Sequence, residues 1–298
     1  MGPDADAVPG SAGAPPSLSV VIPAFDAAAT IEAQLDALLA QPGDFEVIVA
    51  DNGSTDATRA IVERRCARDP RLRIVDASAR RGPSHARNAG ARVAGAELLA
   101  FCDADDIVGN EWVAAIHVGL GTHDFVTGPM ELALLNPPWL VTAKGTTGTA
   151  GLVWFEGRFP FASSCNIGIR RARLLAHGGF DESLHVGEDI DLAMRLHLDG
   201  TTVAYLPDAV VHYRYRTSRS AMFSRARAYG ASRPELADRF RSRSGIVVSR
   251  WRPMRNWLWL FRHLGDLRDR SGQTHWLWTA GVRVGALEGS VRSRHLYL

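Results

Sequence analysis

The sequence predicts an α/β fold: a Rossmann-like mixed, mostly parallel sheet with helices on both faces, followed by a C-terminal helical extension. Three observations carry this. Apolar runs of strand length alternate with helix-periodic segments four times between residues 18 and 102, the rhythm of a parallel sheet covered on both sides. The runs end in Pro23-Ala24-Phe25, Asp51-Asn52 and Asp103-Ala104-Asp105, and right-handed crossovers put those ends along one edge. Beyond residue 240 the composition turns basic and rich in tryptophan.

The elements follow in order. Leu18 to Ile22 is an apolar run closed by Pro23, hence a buried strand. Thr30 is placed to cap a helix carrying Ile31, Leu35, Leu38 and Leu39 at helical spacing. Phe45 to Ala50 is the second strand, Thr55 to Ala67 a helix, Leu72 to Val75 the third strand. A loop at Arg81 to Ser84 leads into a helix of small residues reaching Ala94, and Leu98 to Cys102 is the fourth strand. The rhythm then breaks. Gly, Pro and Thr crowd residues 122–157, which predicts short strands and long loops, where binding residues concentrate. Helical periodicity returns at Glu188 to Leu198, where Ile190, Ala193, Met194 and His197 make a buried stripe. Strands are expected at 203–206 and 210–215 and a helix at 221–229.

The expected organisation is a disordered tail at 1–16, an α/β domain at 17–240 and a basic, Trp-rich amphipathic helical extension at 241–298. The tail is Ala, Gly, Pro and Asp without an apolar run, so it reads as neither signal peptide nor core. At 298 residues and 46% hydrophobic content the chain can bury a substantial core. A net charge of +2 argues against nucleic acid as a partner. Cys66, Cys102 and Cys165 are isolated, without the spacing of a zinc or redox pair. They fit reduced thiols, and the expected setting is cytoplasmic. No stretch reaches the ~18 apolar residues of a membrane span.

Four constellations carry chemistry. LLAFCDADD ends a buried strand in Asp103, Asp105 and Asp106. Ligands bind at the carboxyl ends of strands in open α/β sheets, and clustered carboxylates suit Mg²⁺ or Mn²⁺ rather than zinc. A diphosphate held there through the metal would be stabilised as a leaving group. The alternative is that these acids cap the helix starting near Asn110. The second constellation, Gly187-Glu188-Asp189-Ile190-Asp191, puts acids in a helix's first turn, where the dipole alone favours them. A carboxylate there that points into the crevice can also take a proton from an attacking hydroxyl. The third is His212, on a strand ending in Arg214 and Arg216. It is either structural or a neutral ligand completing a carboxylate metal site, with the arginines facing phosphate. The fourth is the Arg81 to Asn88 segment, including Arg87, a strand-to-helix junction whose helix start can face nucleotide phosphates. GxxxxGK[ST] is absent and no GxGxxG follows a strand, which weakens kinase, ATPase and NAD readings.

In this order the motifs SVVIPAFDAAATI, DNGSTDAT, ARNAGARVAG, LLAFCDADD, GGFDESLHVGEDIDLAMRL and AVVHYRYR resemble the family 2 glycosyltransferases, inverting sugar transferases of GT-A-type fold. They cover residues 18–216. The resemblance implies transfer of one sugar from a nucleoside-diphosphate sugar, a UDP-sugar foremost, to an acceptor hydroxyl. Pro23, Phe25 and Asp51 would line the pocket for base and ribose, with Arg87 and Asp103 also on the nucleotide. Asp103 and Asp105 would hold Mn²⁺ or Mg²⁺ on the donor diphosphate, His212 matching a histidine that some members use there. Asp189 would be the general base, and Asn166 and Glu188 would flank donor sugar and acceptor. Where the family often has Asp-Asp, this chain has Asp51-Asn52. No Gln-x-x-Arg-Trp motif follows the base, so a single addition is implied rather than processive synthesis. A sugar nucleotidyltransferase would want a basic, glycine-rich loop after the first strand, which PAFDAAAT lacks. An inactive nucleotide-sugar-binding scaffold is the other alternative.

The extension holds eleven arginines against Asp266, Asp269 and Glu288, and five of the eight tryptophans. Trp257, Leu260, Phe261 and Leu264 recur at helical spacing, and Gly281, Gly285 and Gly289 are spaced by four on a second helix. One reading is a pair of helices on an anionic membrane surface, giving peripheral contact at the inner face of the cell membrane and access to a lipid-linked acceptor. The other is that they dock on the α/β domain or form a dimer contact. Glycan and small-molecule acceptors are equally compatible.

Overall fold

The computed structural model describes residues 15–145, 150–244 and 251–293. The tail expected at 1–16 therefore lies outside the described residues, apart from Pro15 and Pro16. The first half alternates strand and helix: β1 (Leu18–Ala24), α1 (Ile31–Leu39), β2 (Phe45–Asp51), α2 (Thr58–Cys66), β3 (Leu72–Asp76), α3 (Pro83–Val93) and β4 (Leu98–Phe101). After it come β5 (Ile107–Val108), α4 (Trp112–Thr122), β6 (Phe125–Thr127), β7 (Met130–Glu131), α5 (Pro138–Lys144), β8 (Val153–Phe155), β9 (Phe159–Phe161), β10 (Ile167–Arg170) and α6 (Arg171–Ala176). The chain closes with α7 (Glu188–Leu198), β11 (Ala204–Tyr205), β12 (Val211–His212), α8 (Arg219–Ser244), α9 (Trp251–Arg262), a short 3₁₀ turn at Leu264–Arg268, and α10 (Arg270–Ser293).

Seven strands form the main sheet in the order β11-β6-β10-β4-β1-β2-β3. β1 pairs in parallel with β2 and β4, and β2 with β3, whereas β10 runs antiparallel between β4 and β6. The sheet is mixed and mostly parallel, as expected. Period-2 alternation divides each central strand between two cores. Val20, Ile22, Val47, Val49 and Ala100 face α1, α2 and α4. Val21, Ile48, Leu99 and Phe101 face α3, α6 and α7. In register, Ala24 lies beside Asp51 and Val21 beside Phe101, so β1, β2 and β4 end together at one edge.

Four details differ from the sequence reading. Residues 122–157 contain a helix, α5, as well as short strands. The strands expected at 203–206 and 210–215 shrink to two residues each. β10 and α6 follow the Asn166 segment, where no element was expected. The helix expected at 221–229 extends over Arg219–Ser244, so residue 240 falls inside it.

The last described helix docks. α10 lies along α8, and Gly281, Gly285 and Gly289 sit at the contact. A side chain at Gly281 would bring its Cβ to 2.8 Å from Ala226 Cβ, and one at Gly289 to 3.0 Å from Pro234 Cγ. At Gly285 it would overlap the Arg227 carbonyl. The small-residue stripe therefore serves close helix packing. Lys144, the only lysine in the chain, ties α5 to α10 through its Nζ, 3.1 Å from the Trp278 ring centroid and 4.8 Å from that of Tyr215. Such cation–π contacts are strongest where water is excluded.

Gly285→Val is expected to lower stability by about 2 kcal/mol or more, because overpacking forces the helices apart. Gly265→Ala, at a site with open space around it, is expected to stay within about 0.5 kcal/mol of the parent. Paired thermal melts read the difference.

Candidate functional site

The joint carboxyl edge of β1, β2 and β4 opens into a cleft of about 780 Å³. Pro23, Phe25, Asn52, Arg87, Asp103, Asp105, Glu188 and Asp189 line it, joined by Arg214, Arg216, Arg225 and Tyr229. Most of the expected site residues thus meet in one place.

At one end Phe25 is 43% exposed, and the Arg81 guanidinium lies 4.6 Å from its ring centroid. A flat aromatic and guanidinium pair suits a planar base. Asn52 builds the floor: its Nδ2 donates to the carbonyls of Ala77 (2.6 Å) and Arg80 (2.8 Å), and its Oδ1 accepts the Gly82 N–H at 2.8 Å. Asp51 is placed differently from the expectation. It is buried, accepts the Ser54 N–H at 3.1 Å, and lies 3.6 Å from Arg59. It is not among the cleft-lining residues. Its geometry fixes the turn that presents Asn52.

The acids lie in the middle. After β4 the chain turns, and carboxylate oxygens of Asp103, Asp105 and Asp106 lie within 4.8 Å of one another. They do not cap α4, whose start at Glu111 has no side-chain cap. Gln34 pins the turn, donating to the Asp103 carbonyl at 3.1 Å and accepting the Val108 N–H at 2.9 Å. Asp106 is buried; one oxygen accepts the Arg214 N–H at 2.8 Å, and the other has no partner. Burial, then the charges of Asp103 and Asp105, hold its carboxyl well above the usual range. Asp105 is raised too, by crowding protein first and Asp103 second, although its surface opens to the cleft. A buried carboxylate oxygen left unpaired beside two further carboxylates is a donor set that fits a hard divalent cation.

Arg87 joins this cluster to the next element. Its buried guanidinium donates to Asp103 at 2.7 Å and to Glu188 at 3.0 Å. Gly187 opens α7 with φ +90°, and a side chain there would meet Leu236 of α8 at 2.7 Å. Only glycine fits both demands. The turn it makes aims Glu188 and Asp189 into the cleft at the positive end of the helix dipole. Asp189 accepts the backbone N–H of Ser164 at 3.3 Å and of Ile190 at 2.8 Å. Burial, and then the neighbouring Glu188 charge, push its carboxyl up to about 7 against those donors and Arg87. Asp191 is wholly buried and structural, paired with Arg195 at 2.7 Å and Arg239 at 2.8 Å.

Two further expected residues are elsewhere. Asn166 does not reach the cleft. It is fully buried, its Oδ1 accepts the Trp112 indole N–H at 2.8 Å, and its Nδ2 donates to Ala209 (2.8 Å) and Pro129 (3.3 Å) carbonyls. With its amide saturated it organises the core and has no group to offer a sugar. His212 is not in the carboxylate group. β12 holds it beside β7, where Nδ1 and the Glu131 carboxylate are 2.7 Å apart.

Arg225 and Tyr229, both on α8, were missed by the sequence reading. The Arg225 guanidinium is 3.3 Å from the Tyr213 hydroxyl and 3.4 Å from that of Tyr229. One arginine among many in the sequence carries no signal that it will face the cleft.

A family model described as Glycosyl transferase family 2 matches residues 19–128, and one described as Glycosyl transferase family group 2 matches residues 98–285. Validoxylamine A glucosyltransferase of Streptomyces hygroscopicus subsp. limoneus is 33% identical over 233 residues, covering 65% of this chain and 50% of its own length. The chain therefore spans about half of that relative. Succinoglycan biosynthesis protein ExoU of Rhizobium meliloti is 28% identical over 286 residues, covering 88% and 82%. Among solved structures, the mannosyltransferase PcManGT from Pyrobaculum calidifontis, in complex with GDP-Man and Mn²⁺, aligns with TM-score 0.61 and 19% identity over 92% of this chain and 87% of that one. S. aureus TarS 1-349 in complex with UDP aligns with TM-score 0.54 and 20% identity over 95% and 93%. At such identities the solved structures show the fold, of GT-A type.

Asp189 also sets a stability expectation. Because folding raises its pKa, the proton binds the folded state more tightly, and its contribution falls as pH rises from the ordinary carboxylate range through about 7. Asp189→Asn should therefore stabilise the protein, by ~2 kcal/mol more near pH 8 than near pH 5. Chemical denaturation at the two pH values measures it.

Proposed function

The chain belongs to glycosyl transferase family 2, and from that premise we propose that it is an inverting transferase moving one sugar from a nucleoside-diphosphate sugar, a UDP-sugar foremost, to an acceptor hydroxyl. The observation that carries the reading is that Asp103 and Asp105, backed by the buried unpaired oxygen of Asp106, share one cleft with a carboxylate raised to about 7, Arg87 bridging Asp103 to the Glu188 beside it. Neighbours of this fold that hold UDP, and GDP-Man with Mn²⁺, support it.

In this proposal Phe25 and Arg81 stack the base, and Pro23 and Asn52 shape the pocket around the ribose. Asp103 and Asp105, backed by Asp106, would hold Mn²⁺ or Mg²⁺. Bound there, the ion supplies positive charge to the departing diphosphate. Arg225 and Arg216 face Asp105 closely enough to draw its pKa down, and they meet the phosphates as cations. Arg87 holds the Asp103 and Glu188 carboxylates in place through its two hydrogen bonds. The acceptor oxygen attacks the anomeric carbon as the bond from that carbon to the diphosphate oxygen breaks. Asp189 takes the hydroxyl proton, and the nucleoside diphosphate leaves with its electron pair. A base raised to about 7 is matched to this transfer at neutral pH. Glu188 flanks the acceptor side. His212 and Asn166 have supporting roles through Glu131 and Trp112.

The acceptor class stays broad: glycan, lipid-linked or small-molecule, one relative being named for glucosylation of validoxylamine A and another for succinoglycan biosynthesis. The free thiols Cys66, Cys102 and Cys165 fit a cytoplasmic setting, and peripheral membrane contact through 241–298 belongs to the same proposal. No described helix is long and apolar enough to cross a membrane.

Thermal-shift titration with UDP-, GDP- and dTDP-sugars, each with Mn²⁺ and with EDTA, tests the donor site. One nucleotide class should stabilise the protein only with metal, and Asp105→Ala should abolish that shift; silence from every donor would refute the site. Slow donor hydrolysis by the wild type separates an enzyme from a scaffold. Asp189→Asn should keep the nucleotide shift and lose at least about a hundredfold in hydrolysis or transfer. The wild-type rate should rise with pH to a plateau above about 7.

A further inference from the structure

Two sides of α9 meet different fates. Its inward side packs on α10: Leu260 is 4% exposed, Trp276 donates its indole N–H to the Leu260 carbonyl at 3.0 Å, and the Trp259 and His275 ring centroids are 4.8 Å apart. Leu258, Phe261 and Leu264 are instead 49%, 71% and 53% exposed. Scattered single apolar side chains on a surface need no explanation, but three within seven residues make a patch. Arg255, Arg262 and Arg268 around it are exposed and have no acid partner among the described residues.

The charge is strongly one-sided. From Ser242 to Gly265 the sequence contains five arginines and no acid. The next acids are Asp266 and Asp269, and Asp269 is engaged at the start of α10, accepting the Gly272 N–H at 2.9 Å. A partner for this surface has to carry negative charge and also admit Phe261 and Leu264 into an apolar phase. A second copy of the chain would meet it with the same positive charge, which opposes association. A polyanion without apolar surface would satisfy the arginines and leave the apolar side chains in water. The headgroup layer of an anionic bilayer meets both demands.

We infer that α9 and the turn after it form a docking surface for anionic lipid, with Leu258, Phe261 and Leu264 entering the headgroup–acyl boundary and Arg255, Arg262 and Arg268 meeting lipid phosphates. The helix lies in the plane of the interface. α10 takes no part, because its glycine face is closed against α8. This assignment narrows the peripheral contact proposed for 241–298 to one helix face and does not require sugar transfer.

Flotation of the full chain with phosphatidylcholine vesicles, with and without phosphatidylglycerol, tests it without an activity assay. The wild type should float with the anionic vesicles only, and less as salt is raised. Phe261→Ser with Leu264→Ser should reduce binding about tenfold or more. Arg255→Gln, Arg262→Gln and Arg268→Gln together should abolish the preference for anionic lipid. All these side chains are exposed, so the variants should keep the parent melting curve. Failure to float, equal flotation with both vesicle types, or indifference to the variants would overturn the inference. So would a dimer that Phe261→Ser dissociates, since that would give the patch to a second copy.

Discussion

The buried Arg87 guanidinium holds the site together. It stands between Asp103, at the end of β4, and Glu188, at the start of α7, segments far apart in sequence. Removing one partner from a buried ion pair leaves an uncompensated charge and costs far more than the intact pair contributes. Without Arg87, Asp103 and Glu188 would add two unpaired anions to a region that already holds Asp105, Asp106 and Asp189. The cluster is tolerable because a cation is fixed at its centre. That same cation sets the spacing between the strand that gathers carboxylates and the helix that presents Asp189.

Holding α7 in place requires a second layer. Asp191, two residues past Asp189, is clamped by Arg195 and by Arg239 of α8, and Leu236 of α8 packs where Gly187 leaves no room for a side chain. α8 in turn is held by α10 through the glycine stripe. The C-terminal helices therefore reach the cleft along a continuous path of packing. α8 also brings Arg225 and Tyr229 to its wall. A change at the α8–α10 contact would act on the site by shifting these side chains, a positional effect and not a chemical one.

The sequence revealed what is local and repetitive. The strand–helix rhythm of residues 18–102 and the acids at its strand ends could be read because each element is long enough to show its period. β10, four residues long and outside the strand–helix rhythm, carries too little pattern, so its antiparallel insertion could not be inferred. Side-chain roles set by distant partners were equally hidden. Asn166 sits in a motif that suggested a sugar contact, yet its partners are Trp112, Pro129 and Ala209. His212 is turned to Glu131 by strand pairing, and Gln34, which pins the acidic turn, looks in sequence like any polar residue on a helix. The apolar spacing of α9 was legible. Which side would be covered depended on α10.

The geometry concentrates unfavourable charge where a ligand is to bind. Asp105, Asp106 and Asp189 all have carboxyls raised by burial first and by a neighbouring acid second, Asp103 for the first two and Glu188 for Asp189, so in the free protein each weakens the fold at neutral pH. A ligand carrying compensating charge relieves part of that penalty, and whatever binds only the folded state stabilises it by mass action. Binding strength and fold stability are therefore drawn from the same residues. A variant that neutralises one of these acids should gain stability as it loses function, the trade expected where a fold maintains a strained site. An acid serving only as a helix cap would show the opposite, because removing a cap destabilises the helix it starts.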